Sequence, residues 1–370
     1  MGTPSVFDNP QPGLTIVSIF LSHPNMEQAR EKFSPDELTE CLKHYDIGQP
    51  VGTQEFNRGS KRSPKLIIIT GKGKFLLKRR VPGRDDLAKI RFTHDIQRVL
   101  IRHGFPLPRI IASTDEGKTL LILKDRCYEL FEFVSGEDFD GSLDASYHAG
   151  AALGLYHRLL ANFRTEYSPP TGSYHNASTI RQAIRRIICT LPLESRPPQN
   201  EVTRLVESLE GSYAHCCGRT ADLGLEDWPT QIVHGDWHPG NMLFRQRKVL
   251  AVVDYDAARL QQRVIDLANG VLQFSIITGG ESPKTWPDHL DESRFKRFMR
   301  GYATEEAVSH AEIQAVPYLM CEAIIAEGVL PVAATGTFGR FEGYEFLEMV
   351  DRKVRWILSH LEEIYAVSNS

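Results

Sequence analysis

The spacing of apolar and polar positions changes period along this 370-residue chain, from helix to strand to helix again. "SPDELTECLKHYDIG" (34–48) opens with Ser34, Pro35 and Glu37 in capping-box order and closes at Gly48, which predicts a short amphipathic helix. Residues 51–80 then alternate in short runs, so three strands are expected, with turns at Gly59 and at Gly71-Lys72-Gly73. Helical spacing returns at 85–103 and is stopped by "GFPLP" (104–108). "RIIAST" (109–114) and "TLLILKDRCYELFEFVSG" (119–136) read as a hairpin that completes a small antiparallel sheet. The polar, glycine-rich "GEDFDGS" (136–142) follows as a candidate hinge.

Beyond the hinge the period stays near 3.6 at 143–164, 177–191, 200–217, 264–277, 291–302, 308–327 and 345–365. Only short strands between about 230 and 254 interrupt it. Strands first and helices afterwards predict an α+β, two-lobed architecture rather than a doubly wound sheet. The expected division is a tail or extension at 1–25, a small antiparallel-sheet N-lobe at 26–134, and a larger, mainly helical C-lobe at 135–370.

Composition narrows the class without naming a reaction. With 41% hydrophobic and 24% charged residues, the chain is neither disordered nor a membrane bundle, and a net charge of -4 offers no basic footprint for nucleic acid. A small-molecule partner is the expectation, with neither nucleic acid nor membrane. The six cysteines lack the spacing of a zinc site or a disulfide framework, which predicts reduced thiols and a cytoplasmic location. His215 beside Cys216 and Cys217 is the one local arrangement with metal-ligand chemistry. "LTIVSIFL" (14–21) is too short to span a bilayer and lacks preceding basic residues, so it does not read as a signal peptide; "MGTPSV" does not fit a myristoylation site, and Met26 is a candidate alternative start.

The chemistry concentrates in "IVHGDWHPGNMLF" (232–244) and "AVVDYDAAR" (251–259), where polar residues interrupt buried strand. Phosphoryl transfer needs a base for the incoming hydroxyl, oxygen ligands for magnesium and a cation for the ATP phosphates. Asp236, in the loop after an apolar strand, is the candidate base. Asn241 and Asp254 are candidate metal ligands, because a hairpin through "RQRK" can return Asp254 beside Asn241.

The ordered "HGDWHPGNMLF", "VVDYDAAR" and "IDLA" resemble the signature of the aminoglycoside phosphotransferase and choline kinase family, relatives of protein kinases that phosphorylate small molecules. The resemblance runs from about residue 34 to the C-terminus and is weaker over 165–228. It implies a protein-kinase-like fold using ATP and Mg, with Asp236 as base and Asn241 and Asp254 as metal ligands. Asp266 matches the family's buried aspartate that braces the catalytic loop, and Asp256 either helps position metal or substrate or is a solvated cap. His234 is expected to pack and hydrogen-bond within the loop, while His238 either touches substrate or holds the loop. His157 reads as a satisfied core histidine.

In the first half the resemblance implies that Lys78, on the third strand, pairs with the ATP phosphates; strand alternation places Arg80 on the same face and Arg79 on the other. The turn 57–63 resembles the family's phosphate-covering loop, with Gly59 and Ser60 presenting backbone N–H groups. Phe133 and Val134 resemble the adenine-binding hinge. The helix expected to supply a glutamate to Lys78 contains none; Asp95 is the nearest substitute, with Asp85, Asp86 and His94 as alternatives.

"FTHDIQRVLIRHGFPLP", "ELFEFVSG" and "RFKRFMRGY" are most similar to type II homoserine kinases, implying a homoserine-like or amino-alcohol acceptor. Aminoglycosides, choline, methylthioribose and protein Ser/Thr are alternative acceptors; "EDFD" and "PDHLDES" are either acidic pocket or exposed loops. "ATGTFGRFEGY" (334–344) reads as a loop beside the substrate cleft. Readings of another class are a metal-dependent hydrolase built on His234, Asp236, His238 and Asp254, and a non-catalytic nucleotide-binding module.

Overall fold

A computed structural model describes residues 30–115, 117–192 and 196–368. The extension at 1–25, the run at 14–21 and the Met26 question lie outside the described residues. The first helix, α1 (Pro35–Leu42), carries the expected capping box between Ser34 and Glu37. Three antiparallel strands follow, β1 (Pro50–Glu55), β2 (Lys65–Thr70) and β3 (Gly73–Arg79), and then α2 (Leu87–Arg102).

The next stretch differs from the expected hairpin. Lys124 and Asp125 both take left-handed backbone (φ 47° and 61°) and turn the chain back on itself, so residues expected as one strand become β5 (Leu121–Leu123) and β6 (Arg126–Glu132). No glycine marks this turn, and an aspartate tolerates that conformation better than most residues. The predicted partner shrinks to β4 (Ile110–Ile111), which pairs elsewhere along β6. The sheet order is β1-β2-β3-β6-β4, with β5 also on β6.

Alternation along these strands gives the sheet two different faces. Ile68, Leu77, Tyr128 and Leu130 pack with Cys41 and Tyr45 into a small outer core under α1. Lys65, Lys78 and Glu129 face the other way, and the register sets Lys65 opposite Lys78 and Lys78 opposite Glu129. α2 contributes Phe92, Ile96 and Leu100 to the main core, so it packs with the C-lobe as well as with the sheet.

The C-lobe contains α3 (Leu143–Leu160), α4 (Ser178–Thr190), α5 (Gln199–Asp222), a strand pair of β7 (Thr230–Val233) with β10 (Arg259–Gln262), and the hairpin β8 (Met242–Arg245) and β9 (Lys248–Val252). α6 (Arg263–Ser275), α7 (Glu292–Ala303) and α8 (His310–Thr335) follow. The candidate hinge is stapled to this lobe: Glu137 exchanges both backbone hydrogen bonds with Phe244 at 2.7 and 2.8 Å.

α8 runs past the predicted end at 327 and closes on left-handed Gly336. It is long and apolar enough to cross a membrane, but 83% of its most apolar window is buried, as expected for a helix surrounded by other helices. Residues 334–344 are not an open loop. β11 (Thr337–Phe338) and β12 (Phe341–Glu342) form a tight hairpin, and Phe338 stacks on Phe346 of α9 (Gly343–Ser359) at 3.6 Å. The final predicted helix breaks at His360 into α9 and α10 (Leu361–Ser368).

α3 and α7 cross at backbone contact. A β-carbon on Gly150 would lie 2.0 Å from the Phe298 carbonyl oxygen, and one on Gly301 would lie 1.9 Å from that of Tyr147. Neither contact can be relieved without separating the helices, so Gly301→Ala should destabilise the protein by about 3 kcal/mol, lowering its urea midpoint.

Candidate active site

The catalytic-loop segment leaves β7 and must turn sharply. Gly235 makes that turn with φ +74°, and a β-carbon there would meet the Ala257 carbonyl oxygen at 2.5 Å. Asp266, in the first turn of α6, accepts the backbone N–H groups of His234 (2.9 Å) and Gly235 (3.0 Å). His157 adds Nε2 to the same carboxylate at 3.2 Å, while its Nδ1 meets the Tyr302 hydroxyl at 2.8 Å. The loop is therefore fixed through its main chain by one buried carboxylate.

That leaves Asp236 projecting from a rigid base. Asn241 Nδ2 donates to the Asp236 carboxylate (2.9 Å) and to its carbonyl oxygen (3.0 Å). Gly240 N–H donates to Nδ1 of His238, so the ring proton belongs on Nε2, which lies 3.5 Å from the Asp236 carboxylate. Burial works against the Asp236 charge, but His238 and the Asn241 amide outweigh it and hold the carboxyl below its usual range. Asp236 is an anion at neutral pH.

Asn241 has its amide N–H committed, which leaves its carbonyl oxygen as the outward donor atom. Its main-chain oxygen accepts Val253 N–H at 2.9 Å, bringing the end of β9 beside it. Asp254 follows in left-handed backbone (φ 65°), a conformation that costs a non-glycine residue about 1 kcal/mol or more. An amide oxygen and a carboxylate are the hard donors that suit Mg, which needs only one or two protein oxygens beside phosphate and water.

His234 departs from expectation. Both of its ring nitrogens are buried without a hydrogen-bond partner, and the ring is enclosed by Trp237 (5.3 Å), Tyr255 (5.1 Å) and Tyr156 (5.9 Å). Burial lowers its pKa and keeps it neutral. It packs, and only its backbone hydrogen-bonds. The hydrolase reading loses its metal set on the same ground: among the described residues, the group whose ligand atoms converge is His175, Cys217 and Glu322. There Glu322 already accepts His175 Nδ1 (2.9 Å) and Asn176 N–H (3.2 Å), and His215 lies against Tyr318 instead.

The partner of Lys78 is neither Asp95 nor any other residue of α2. Asp95 bonds Arg98 and the Thr165 hydroxyl, Asp86 caps α2, and Asp85 accepts Gly83 N–H. Lys78 instead faces Glu129 on β6 at 3.7 Å and Asp256 at 3.4 Å. Glu129 is fully buried and also takes both ends of Arg80, at 2.5 and 2.8 Å, and His94 Nε2 at 2.7 Å. Arg80 Nη1 continues to Asp256 at 2.7 Å. Desolvation opposes the Glu129 charge, but Lys78, His94 and Arg80 hold its carboxyl far below the ordinary range. Against the same desolvation, Glu129 keeps Lys78 above its usual value. The signal was present in "CYELF": an acid on the inward face of a strand next to one carrying Lys78 and Arg80.

The remaining site residues line the mouth. Gly59 is left-handed (φ +81°), and the carbonyls of Asn57, Gly59 and Ser60 accept the Arg30 guanidinium at 2.9, 3.3 and 3.1 Å. Arg58 makes a two-bond pair with Asp138 of the hinge stretch at 2.8 and 3.0 Å. Phe133 N–H is spent on the Lys74 carbonyl at 2.9 Å, so of its backbone groups only the carbonyl remains for a ligand.

A sheet lobe over a helical lobe, with an aspartate-asparagine loop below and a buried lysine-carboxylate pair above, defines a two-lobed protein-kinase-like fold. The profile of the Phosphotransferase enzyme family matches residues 53–310, and the chain belongs to that family. It is 22% identical over 290 residues to a homoserine kinase of Phenylobacterium zucineum (strain HLK1), covering 77% of this chain and 80% of that one. In fold it is similar to an aminoglycoside phosphotransferase of Alicyclobacillus acidocaldarius (TM-score 0.63, 15% identity, 92% and 98% of the two chains). It is also similar to a microcompartment-associated aminopropanol kinase (TM-score 0.60, 15% identity, 90% and 98%). The protein is an ATP-dependent small-molecule phosphotransferase of this superfamily.

Glu129→Ala should cost about 3–5 kcal/mol of stability in urea unfolding at pH 7, because Arg80 and Lys78 would lose their shared carboxylate inside the protein. Asp95→Asn should cost less than about 1 kcal/mol, since its ion pair is a helix-surface one.

Proposed function

We propose that the protein moves the γ-phosphate of ATP to a hydroxyl of an amine-bearing small molecule, with a homoserine-like amino alcohol as first choice. The observation that carries the acceptor class is a set of polar atoms on α6 and α8 that includes Glu327, whose carboxyl feels the Asp236 charge. On α6, Asn269 Oδ1 and Gln273 Oε1 are buried without a donor, and Gln273 Nε2 donates to Glu327 of α8 at 2.6 Å. Burial and the Asp236 charge push Glu327 up to about 8. Two unpaired amide oxygens, with a carboxyl that can ionise near pH 8, call for a group with several N–H donors, and an ammonium has three. The homoserine kinase and aminopropanol kinase names support the same class.

In this reading Asp236 orients the acceptor hydroxyl and takes its proton, while Asn241 keeps the carboxylate turned toward the incoming oxygen. Asn241 and Asp254 would hold Mg, which when bound neutralises charge on the transferring phosphates. Lys78, fixed by Glu129, binds phosphate, and the Gly59–Ser60 turn covers it. The Phe133 carbonyl and Val134 backbone receive the adenine. His238 positions Asp236, and Asp266 holds the loop. Asp256, tied to Lys78 and Arg80, positions the upper lobe rather than acting as a solvated cap. The lobe limits at 26–134 and 135–370 and a cytoplasmic location belong to this proposal; six free thiols, five of them buried, support a reducing compartment.

The test is magnesium-dependent ATP consumption with homoserine, choline, methylthioribose and kanamycin. Homoserine should stimulate it, 4-hydroxybutanoate, which lacks the amine, should not, and Asp236→Asn should lose about a thousandfold or more in turnover with unchanged melting. Equal stimulation by the amine-free compound refutes the acceptor class. A proton on Glu327 must leave for it to pair with an ammonium, so KM for the amino acceptor should fall as pH rises toward about 8 and beyond. Glu327→Gln should flatten that profile in initial-rate measurements.

A further inference from the structure

The upper lobe aims a second lysine at the cleft, and nothing in the reaction as described uses it. Lys65 begins β2 directly opposite Lys78, on the same face of the sheet. It is half-buried, and among the described residues its amine forms no ion pair. It lies under the phosphate-covering turn, with Nζ 3.0 Å from where a β-carbon on Gly59 would be. The charges of Asp254 and Asp256 reach it from the lower lobe, yet burial and the neighbouring Lys78 prevail and lower its pKa.

The neighbouring cations are in the opposite condition. Lys78 sits between Glu129 and Asp256, and Arg80 binds both of those carboxylates. Lys78 and Arg80 thus share two carboxylates between them, and Lys65 is left outside that pairing. Asp254 cannot balance it and serve as a metal ligand at once. A partly desolvated cation without an ion-pair partner costs stability in the free protein, and a bound anion would offset that cost.

We propose that Lys65 is a phosphate-binding residue of the nucleotide site, a second cation that meets the ATP phosphates beneath the 57–63 turn beside Lys78, which Glu129 holds in place. This rests on the reading of the cleft as the ATP site. "NRGSKRS" holds a single glycine, Gly59, so its backbone is less free to wrap around phosphates than a glycine-rich run, and the lysine after it supplies charge. A point-charge ammonium on a flexible stem suits a polyphosphate whose geometry changes during transfer.

The experiment is titration calorimetry of the full-length protein with adenosine, AMP, ADP and ATP in magnesium buffer, comparing wild type, Lys65→Met and Lys65→Arg. Lys65→Met should weaken ATP binding about tenfold or more and leave adenosine binding unchanged, while Lys65→Arg keeps most of the affinity. The point in the AMP, ADP, ATP series where the two proteins diverge identifies the phosphate that Lys65 meets. Lys65→Met should also melt at or slightly above the wild-type temperature without nucleotide, which a structural lysine would not do. If wild type binds ATP and Lys65→Met binds it equally well, the assignment is wrong although the nucleotide site stands. If wild type binds no ATP, the site reading falls and this assignment with it.

Discussion

The buried carboxylate of Glu129 is the interaction on which the upper half of the site depends. It gathers Lys78 from β3 and Arg80 just beyond its end, His94 from α2 and, through Arg80, Asp256 from the lower lobe. An isolated charge at that depth would be intolerable, and the same is true of each cation around it. The group is stable only when complete. Strand pairing, the docking of α2 and the approach of the two lobes are therefore coupled to one another through a single side chain.

The lower half follows the same logic with a different anchor. Asp266 spends its carboxylate on two backbone N–H groups of the catalytic loop and on His157, so the loop is held by its main chain. Asp236, His238 and Asn241 are thereby freed to order each other. His234 completes the platform as an apolar ring, shielded by Trp237, Tyr255 and Tyr156. Glu129 and Asp266 are buried, while Asp236 and Asp254 retain contact with solvent. Burial converts electrostatics into position because an unpaired charge has nowhere else to go.

An unbalanced set of groups at the cleft points to the ligand. In the upper lobe Lys65 stands outside the ion pairs of Lys78 and Arg80, and in the lower lobe the amide oxygens of Asn269 and Gln273 are buried without donors. Folding alone does not favour either arrangement. A polyanionic nucleotide and an amine-bearing acceptor would neutralise them from opposite sides.

Local periodicity determined much of this protein. The capped first helix, the three opening strands, the helical second half and the paired segments around 232–259 were legible because each follows from nearest-neighbour spacing. The order of Asp236, Asn241 and Asp254 was legible for a related reason: a short hairpin leaves few ways to arrange its own ends. What sequence could not supply was any pairing between distant segments. The turn at Lys124 and Asp125, without a glycine, hid a strand boundary, and the acidic partner of Lys78 lies not on α2 but on a strand. Glu129 lies 51 residues along the chain from Lys78 and becomes its neighbour only when β6 pairs with β3. His234 looked like a hydrogen-bonding residue until three aromatic rings closed around it. Spacing along the chain fixes which face a side chain takes; only tertiary packing decides what that face meets, because the desolvation that gives a buried charge or an unpaired amide its meaning does not exist until the lobes come together.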